Sequence, residues 1–448
     1  MLDQSFSLRN FREIYDSENR KGNCLETMFA ELKGVYDITN KIKISKGIIK
    51  TETKREEKRK IYKCIKDLKS KKETILDECL ISVEKQIQSD GLKLRLKNGP
   101  VVLGKQTYTV EKSLSNFLFA KQTQKNLVKV FRVKPSVRNE IIAQLKAVLS
   151  DGLHKVIVKT DIKEFYESIP HKELLAIIES NKLLSVISKK YIRDLLEEYK
   201  KIGKRKSVGI PRGIGVSAYL SEIYMRRLDE CLKKIPGLIY YSRYVDDIVM
   251  VFGYEPTMTN AYFKEKIKSV CEELGLKYHD KKTKILQVDK GKKSESFEFL
   301  GYRIIFNTSS ADKETYIDFD LSDKKKQKLQ NRVKKSFEQY NRAKNKRTGG
   351  HLLYNRIRFL TSNTKLVNNK NNVVVGIYCS NKFLTKKESL EELDSYLYGL
   401  SDLLKDKKMS KKLKDLSFFR GWKEKTYHKH SSNALKRITE IWHHDENC

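Results

Sequence analysis

Residues 239–252, IYYSRYVDDIVMVF, constrain the chain more than any other stretch. Two β-prone apolar runs flank Asp246 and Asp247, the pattern of a strand, a tight turn carrying two carboxylates, and a returning strand. Adjacent carboxylates repel and resist joint ionisation, so a buried apolar hairpin that presents them calls for a divalent cation between them and another acid. Asp also populates surface turns for backbone reasons alone, so the remaining elements have to decide between the two readings.

Composition narrows the partner. The 448 residues carry 93 Lys and Arg against 57 Asp and Glu, a net charge of +36 that suits a polyanion, nucleic acid first, better than a neutral metabolite. No stretch is long and apolar enough to span a bilayer and no signal-peptide pattern opens the chain, so a cytoplasmic protein without a membrane partner is expected. The seven cysteines are scattered and never form a Cys-x-x-Cys pair, which predicts reduced thiols. His428, His430, His443 and His444 lack partnering cysteines, so no zinc is assigned.

Taken in order, residues 53–88 show apolar positions at helical spacing. Alternation at 92–96, a turn at Asn98-Gly99, and β-prone runs ending at Leu103 and Val110 predict a small basic β-unit. Residues 127–133 read as a strand bearing Lys129 and Arg132 on opposite faces. A helix is expected over 141–149, then an apolar strand at 156–158 that ends in Asp161, with Phe165 and Tyr166 beyond and a helix over 171–184. Asp161 is either a ligand position or a helix cap. Gly209, Gly213 and Gly215 with Pro211 make a turn before a helix opened by Ser217, a place where a base or phosphate can approach closely.

These elements, in this order, resemble the palm of a reverse transcriptase. DIKEFYESI resembles motif A, GIPRGIGVSAYLSEIYM motif B, and Tyr244-Val245-Asp246-Asp247 the Tyr-x-Asp-Asp box of motif C. LGLKYHDKKTKIL resembles motif D, and Phe299-Leu300-Gly301-Tyr302 the primer-grip hairpin of motif E, so the resemblance covers about residues 115–310. It implies an α+β right-hand polymerase with fingers, an antiparallel palm sheet and a helical thumb, plus a further mostly helical C-terminal region. The expected division is an N-terminal helical extension to 90, fingers 91–150, palm 151–310, a thumb-like basic helix 311–350 and a C-terminal module 351–448.

The resemblance also implies the chemistry. Joining a primer hydroxyl to a nucleotide α-phosphate develops charge on attacking and leaving oxygens, which two Mg²⁺ ions, or Mn²⁺ in substitution, stabilise together. Asp161 and Asp246 are expected as direct ligands, Asp247 in support, and the Ile162 carbonyl as a further oxygen. Tyr166 matches the steric gate against a ribose 2′-hydroxyl, Lys282 is the candidate acid for departing pyrophosphate, with Lys281 and Lys284 as neighbours, and Lys129 and Arg132 are candidates for the triphosphate. Arg212 and Gly213 are expected at the nucleotide, although many relatives have Gln at the position of Arg212 and Pro at that of Ala218.

No Val-Thr-Gly triplet or intron-type endonuclease segment is present, and the pattern is more similar to bacterial defence-associated, including abortive-infection, reverse transcriptases. That similarity implies an antiphage role, dNTP substrates, an RNA template that is a dedicated non-coding RNA, a DNA product, and a second reverse transcriptase or another copy of the chain as partner. A retron or group II intron enzyme, or a catalytically silent RNA-binding scaffold, are the alternatives. Between 323 and 347, eleven Lys or Arg against two acids face one side of a helix whose other side carries Leu329, Val333, Phe337 and Tyr340. Gly349-Gly350 is read as a break, Thr385-x-x-Glu388 as a capping box, and Phe418, Phe419, Trp422 and Trp442 as core.

Overall fold

The computed structural model describes residues 3–89, 91–102, 104–134, 136–203, 207–288, 295–308, 315–366 and 373–443; Leu103, His444 and Cys448 lie outside them. The chain divides into two compact units, residues 1–100, 106–134 and 169–224 in the first and 101–105, 135–168 and 225–448 in the second. Among the described residues no helix is long and apolar enough to cross a membrane.

In the first unit, residues 53–88 form one helix, Arg55–Gln88, that packs on Lys33–Thr51 through Ile38, Ile42 and Ile65. The expected strand at 127–133 is instead the end of the helix Leu114–Phe131. Ser113 starts that helix by accepting the Asn116 N–H, and Leu114, Leu118, Phe119 and Leu127 bury one face. A cap and a helical stripe outweigh the β-propensity of a seven-residue run. Lys129 and Arg132 are therefore exposed at a helix C-terminus, with Arg132 in the left-handed region at φ 50°, and strand alternation does not separate them.

The glycine-rich turn is built from close backbone approaches. Gly213 has φ +89° and a Cβ there would come 2.8 Å from the Tyr108 carbonyl, while the Tyr108 N–H donates to the Arg212 carbonyl at 2.8 Å. Buried His171 places Nε2 2.6 Å from the Gly209 carbonyl, and burial lowers its pKa, so a neutral imidazole donates there. The helix that follows, Gly215–Leu232, begins two residues before Ser217, and the helix expected over 171–184 ends early, His171–Ser180.

The second unit is organised on an antiparallel sheet. Lys155–Lys163 lies at its centre, paired on one edge with Asp247–Gly253, which pairs in turn with Leu238–Tyr244. Its other edge takes Lys284–Val288 and Lys277–Tyr278. Val156, Ile157 and Val158 and all of Ile248 to Phe252 are buried, the continuous apolar run of strands covered on both faces. The first arm of the 239–252 hairpin differs from expectation: Leu238–Tyr244 is an edge strand, only half-buried, with Ile239 exposed. The β-unit at 96–110 also differs. Asn98-Gly99 lies inside the strand Leu96–Val102, and Gly104, at φ +70°, precedes its partner Lys105–Val110.

Three further strands, Glu295–Phe299, Tyr302–Thr308 and Thr315–Leu321, form a meander on which the C-terminal helices pack. Asp323–Arg342 starts at the Ser322 cap and buries Val333, Phe337 and Tyr340 as expected. The break falls at 343–345, where Asn345 caps Lys346–Thr361, and Gly349-Gly350 lies within that helix. A Cβ on Gly349 would meet Ala343 Cβ at 2.8 Å and one on Gly350 would meet Met409 Cε at 2.8 Å, so these glycines serve packing rather than a turn. Thr385 caps nothing: its hydroxyl bonds Asp318 and accepts the Phe319 N–H, tying it to the meander, and the helix Glu388–Asp402 starts after Lys387. Phe418 and Trp442 are buried and Phe419 and Trp422 pack on the same core, with both indole N–H groups donating to carbonyls.

Candidate active site

The register of the central sheet brings the three acids together. Asp161 pairs directly with Asp247, so both side chains project from one face, while Asp246 occupies the turn between the hairpin strands. The Ile162 N–H donates to the Asp246 carbonyl at 3.4 Å. Val245 in that turn has φ +60°, a strained conformation for a β-branched residue. Arg243, 7% exposed, holds it: Nη1 donates to the Val245 carbonyl at 2.9 Å, while Nε and Nη2 clasp Asp229 at 2.7 and 2.9 Å. This clamp was not anticipated, although a lone cation in a β-prone run signals a buried pairing.

Burial is the main influence that raises the pKa of Asp246, followed by the charge of Asp161 and, more weakly, of Asp247; Lys105, the first residue of the strand Lys105–Val110, acts the other way. Lys282 Nζ lies 2.8 Å from Asp161 Oδ2, and that hydrogen bond raises the lysine pKa. Lys282 reaches it from a short turn, Asp280–Lys282, anchored where Thr160 Oγ1 meets Thr283 Oγ1 at 2.8 Å. Lys159 Nζ stands 3.2 Å from Asp247 Oδ1. Lys159 and Lys105 were also missed, yet Lys159 is two residues before Asp161 on a strand and so shares its face.

The carboxylates thus meet in a half-buried place where Asp161 and Asp247 each already draw a lysine, a donor set that fits a divalent ion. Among the described residues no group of three or more His, Cys, Asp or Glu side chains is placed to hold a metal ion by itself.

Beyond the central strand, Phe165 is buried and Tyr166 half-buried, their rings edge to face at 5.2 Å. The motif E-like turn is Leu300-Gly301 at φ 47° and 78°, a two-residue hairpin loop between the buried side chains of Phe299 and Tyr302. Only the turn is half-exposed. Lys129, Arg132, Arg212 and Gly213 belong to the first unit described above.

Residues 100–304 match the family model for reverse transcriptase (RNA-dependent DNA polymerase). The chain carries a reverse transcriptase domain. No curated protein matches the chain. The reverse transcriptase domain contains the hairpin, the central strand and the meander's first strand and first turn, and it implies a right-hand polymerase fold, RNA template, dNTP substrates and DNA product. It ends near Ile304, so the 140-odd residues beyond it, roughly those from 305 on, lie outside the match.

Proposed function

We propose that the chain is an RNA-directed DNA polymerase in which Asp161 and Asp246 hold two Mg²⁺ ions, with Asp247 and the Ile162 carbonyl in support. The observation that carries this reading is the direct pairing of Asp161 with Asp247 beside the strained turn that bears Asp246, inside the matched domain. The ions, when bound, stabilise the negative charge that develops on the attacking and leaving oxygens.

The protein's own part is positioning. Arg243 keeps the Asp246 turn in its strained form, and Lys159 and Lys282 balance the outer carboxylate oxygens before substrate arrives. Lys282 is the proton source for pyrophosphate once phosphate oxygens draw it off Asp161. The motif resemblance assigns Lys129 and Arg132 to the triphosphate and Arg212 and Gly213 to the nucleotide. The Leu300-Gly301 turn guides the primer end, and the basic face of Asp323–Arg342 follows backbone phosphates. Tyr166 screens the sugar: Tyr166→Ala should lower the preference for dNTP over rNTP by about 10–100-fold, measured as the ratio of kcat/KM values.

The biological setting we assign is bacterial antiphage defence with a dedicated non-coding RNA. The test is to incubate the purified protein and its co-purifying RNA with Mg²⁺ and labelled dNTPs, then sequence the product. DNA complementary to one RNA, lost on chelation of metal or prior RNase treatment, is the expected result. Absence of DNA with both the native RNA and an added primed template would favour the silent scaffold.

A further inference from the structure

The C-terminal helices enclose a cavity of about 1120 Å³. Five cations line it, Lys346, Arg347, Arg358, Lys412 and Arg437, against two carboxylates. Basic lining alone describes much of this protein's surface, but Arg358 has an additional property: its Nε, together with polar groups behind it that do not themselves line the cavity, is buried without a partner.

Arg358 Nε, Thr364 Oγ1 and His430 Nε2 are each shielded from solvent with no hydrogen-bond partner among the described residues. Thr364 is fully buried and His430 is 8% exposed. They are neighbours. Thr364 pairs with His428 across the parallel strands Asn363–Lys365 and Tyr427–His428, so these two side chains share a face, and His430 follows two residues on. Arg358 is close enough to both imidazoles for its charge to oppose their protonation, which burial already disfavours. The guanidinium is held on its other side, stacked 5.5 Å over the Tyr354 ring with Nη2 donating to Asn355 Oδ1 at 3.1 Å.

Buried polar atoms are nearly always satisfied, and each exception carries a free-energy penalty. Three such groups, all able to donate a hydrogen, one of them part of the guanidinium that lines a basic cavity, match what a tetrahedral oxyanion requires. We propose that Arg358, Thr364, His428 and His430 form a binding site for a phosphate group, separate from the carboxylates of the central sheet. The phosphate comes from a nucleic-acid strand, either as a terminal monoester or as a backbone diester, and the cavity's remaining cations accept the adjoining phosphates. The site would hold one fixed point of a strand on a part of the chain beyond the matched domain.

Thermal unfolding of the full chain tests this. Inorganic phosphate, compared with chloride at equal ionic strength, should raise Tm by about 1–3 °C by binding the folded state. Arg358→Gln should abolish the rise. An equal rise in the variant would be the general salting effect of phosphate and would overturn the site.

Thr364→Val provides a second variant that does not depend on removing a charge. Replacing an unpaired buried hydroxyl by an isosteric methyl should raise Tm in chloride and shrink the response to phosphate. An unchanged phosphate response in Thr364→Val would also count against the site. Short oligonucleotides with a 5′-phosphate or a 5′-hydroxyl separate the two sources: a shift with the first alone assigns a terminal phosphate, and a shift with both assigns the backbone. No shift with phosphate or either oligonucleotide overturns the proposal.

Discussion

Asp246→Asn should melt at a higher temperature than the natural protein and fail to polymerise. Incorporation of dNTPs should fall by about 10³-fold, equivalent to about 4 kcal/mol of lost transition-state stabilisation, because an amide is a poor ligand for Mg²⁺. Stability moves the other way. The folded protein disfavours ionised Asp246, chiefly through burial and then through the charge of Asp161, so at neutral pH the carboxylate opposes folding and its neutralisation relieves that opposition. Primer extension and thermal unfolding in the presence of chelator, measured on one preparation, check both halves. A variant that lost activity and also melted lower would show that Asp246 supports the turn rather than straining it.

Arg138→Ala should destabilise the second unit by about 2–4 kcal/mol in denaturant unfolding, since it leaves the Leu300 carbonyl without its donor and takes from the Ser380 carbonyl and the Tyr302 ring one of their two cations. Arg138 Nε donates to the Leu300 carbonyl at 2.7 Å, Nη1 donates to the Ser380 carbonyl at 2.9 Å, and the guanidinium lies 4.8 Å over the Tyr302 ring. One side chain therefore joins the left-handed Leu300-Gly301 turn to the segment around Ser380. Lys325, which donates to the same Ser380 carbonyl, is pulled down to about 7 by burial and by the charge of Arg138.

A lysine whose folded pKa is depressed adds stability that is complete above its unfolded pKa and is lost as pH falls toward the folded value. The protein should thus grow more stable from pH 7 toward the ordinary lysine range near 10. Lys325→Met should flatten that dependence. In Arg138→Ala the midpoint of the Lys325 step should move up, since one of its two causes is gone, and unfolding followed against pH reads both effects.

Much of the candidate site was legible because its chemistry is carried by local patterns. Asp-Asp between β-prone runs, an acid after an apolar strand, and glycines before a helix are short signals, and the structure brings Asp161, Asp246 and Asp247 together through strand register. Phe165 and Tyr166 divide between core and half-exposed positions as their places in the motif suggested. Residues 127–133 misled because a β-rich run can be absorbed by a capped helix that buries a face of its own. The Gly349-Gly350 pair misled because glycine serves close packing as well as turns, and no local pattern separates these roles.

The amino-acid order alone thus settles the composition of the acidic cluster and the succession of elements around it, since periodicity and turn chemistry act over a few residues. It could not reveal Arg243 holding the Asp246 turn, Lys159 and Lys282 placed against the outer carboxylates, or Arg138 joining Leu300 to Ser380. Some of these partners are more than a hundred positions apart in the chain, and which cation meets which carbonyl or carboxylate depends on how sheets and helices pack. The unpaired atoms Arg358 Nε, Thr364 Oγ1 and His430 Nε2 belong to the same class: a missing hydrogen bond becomes visible only when every neighbour is in place.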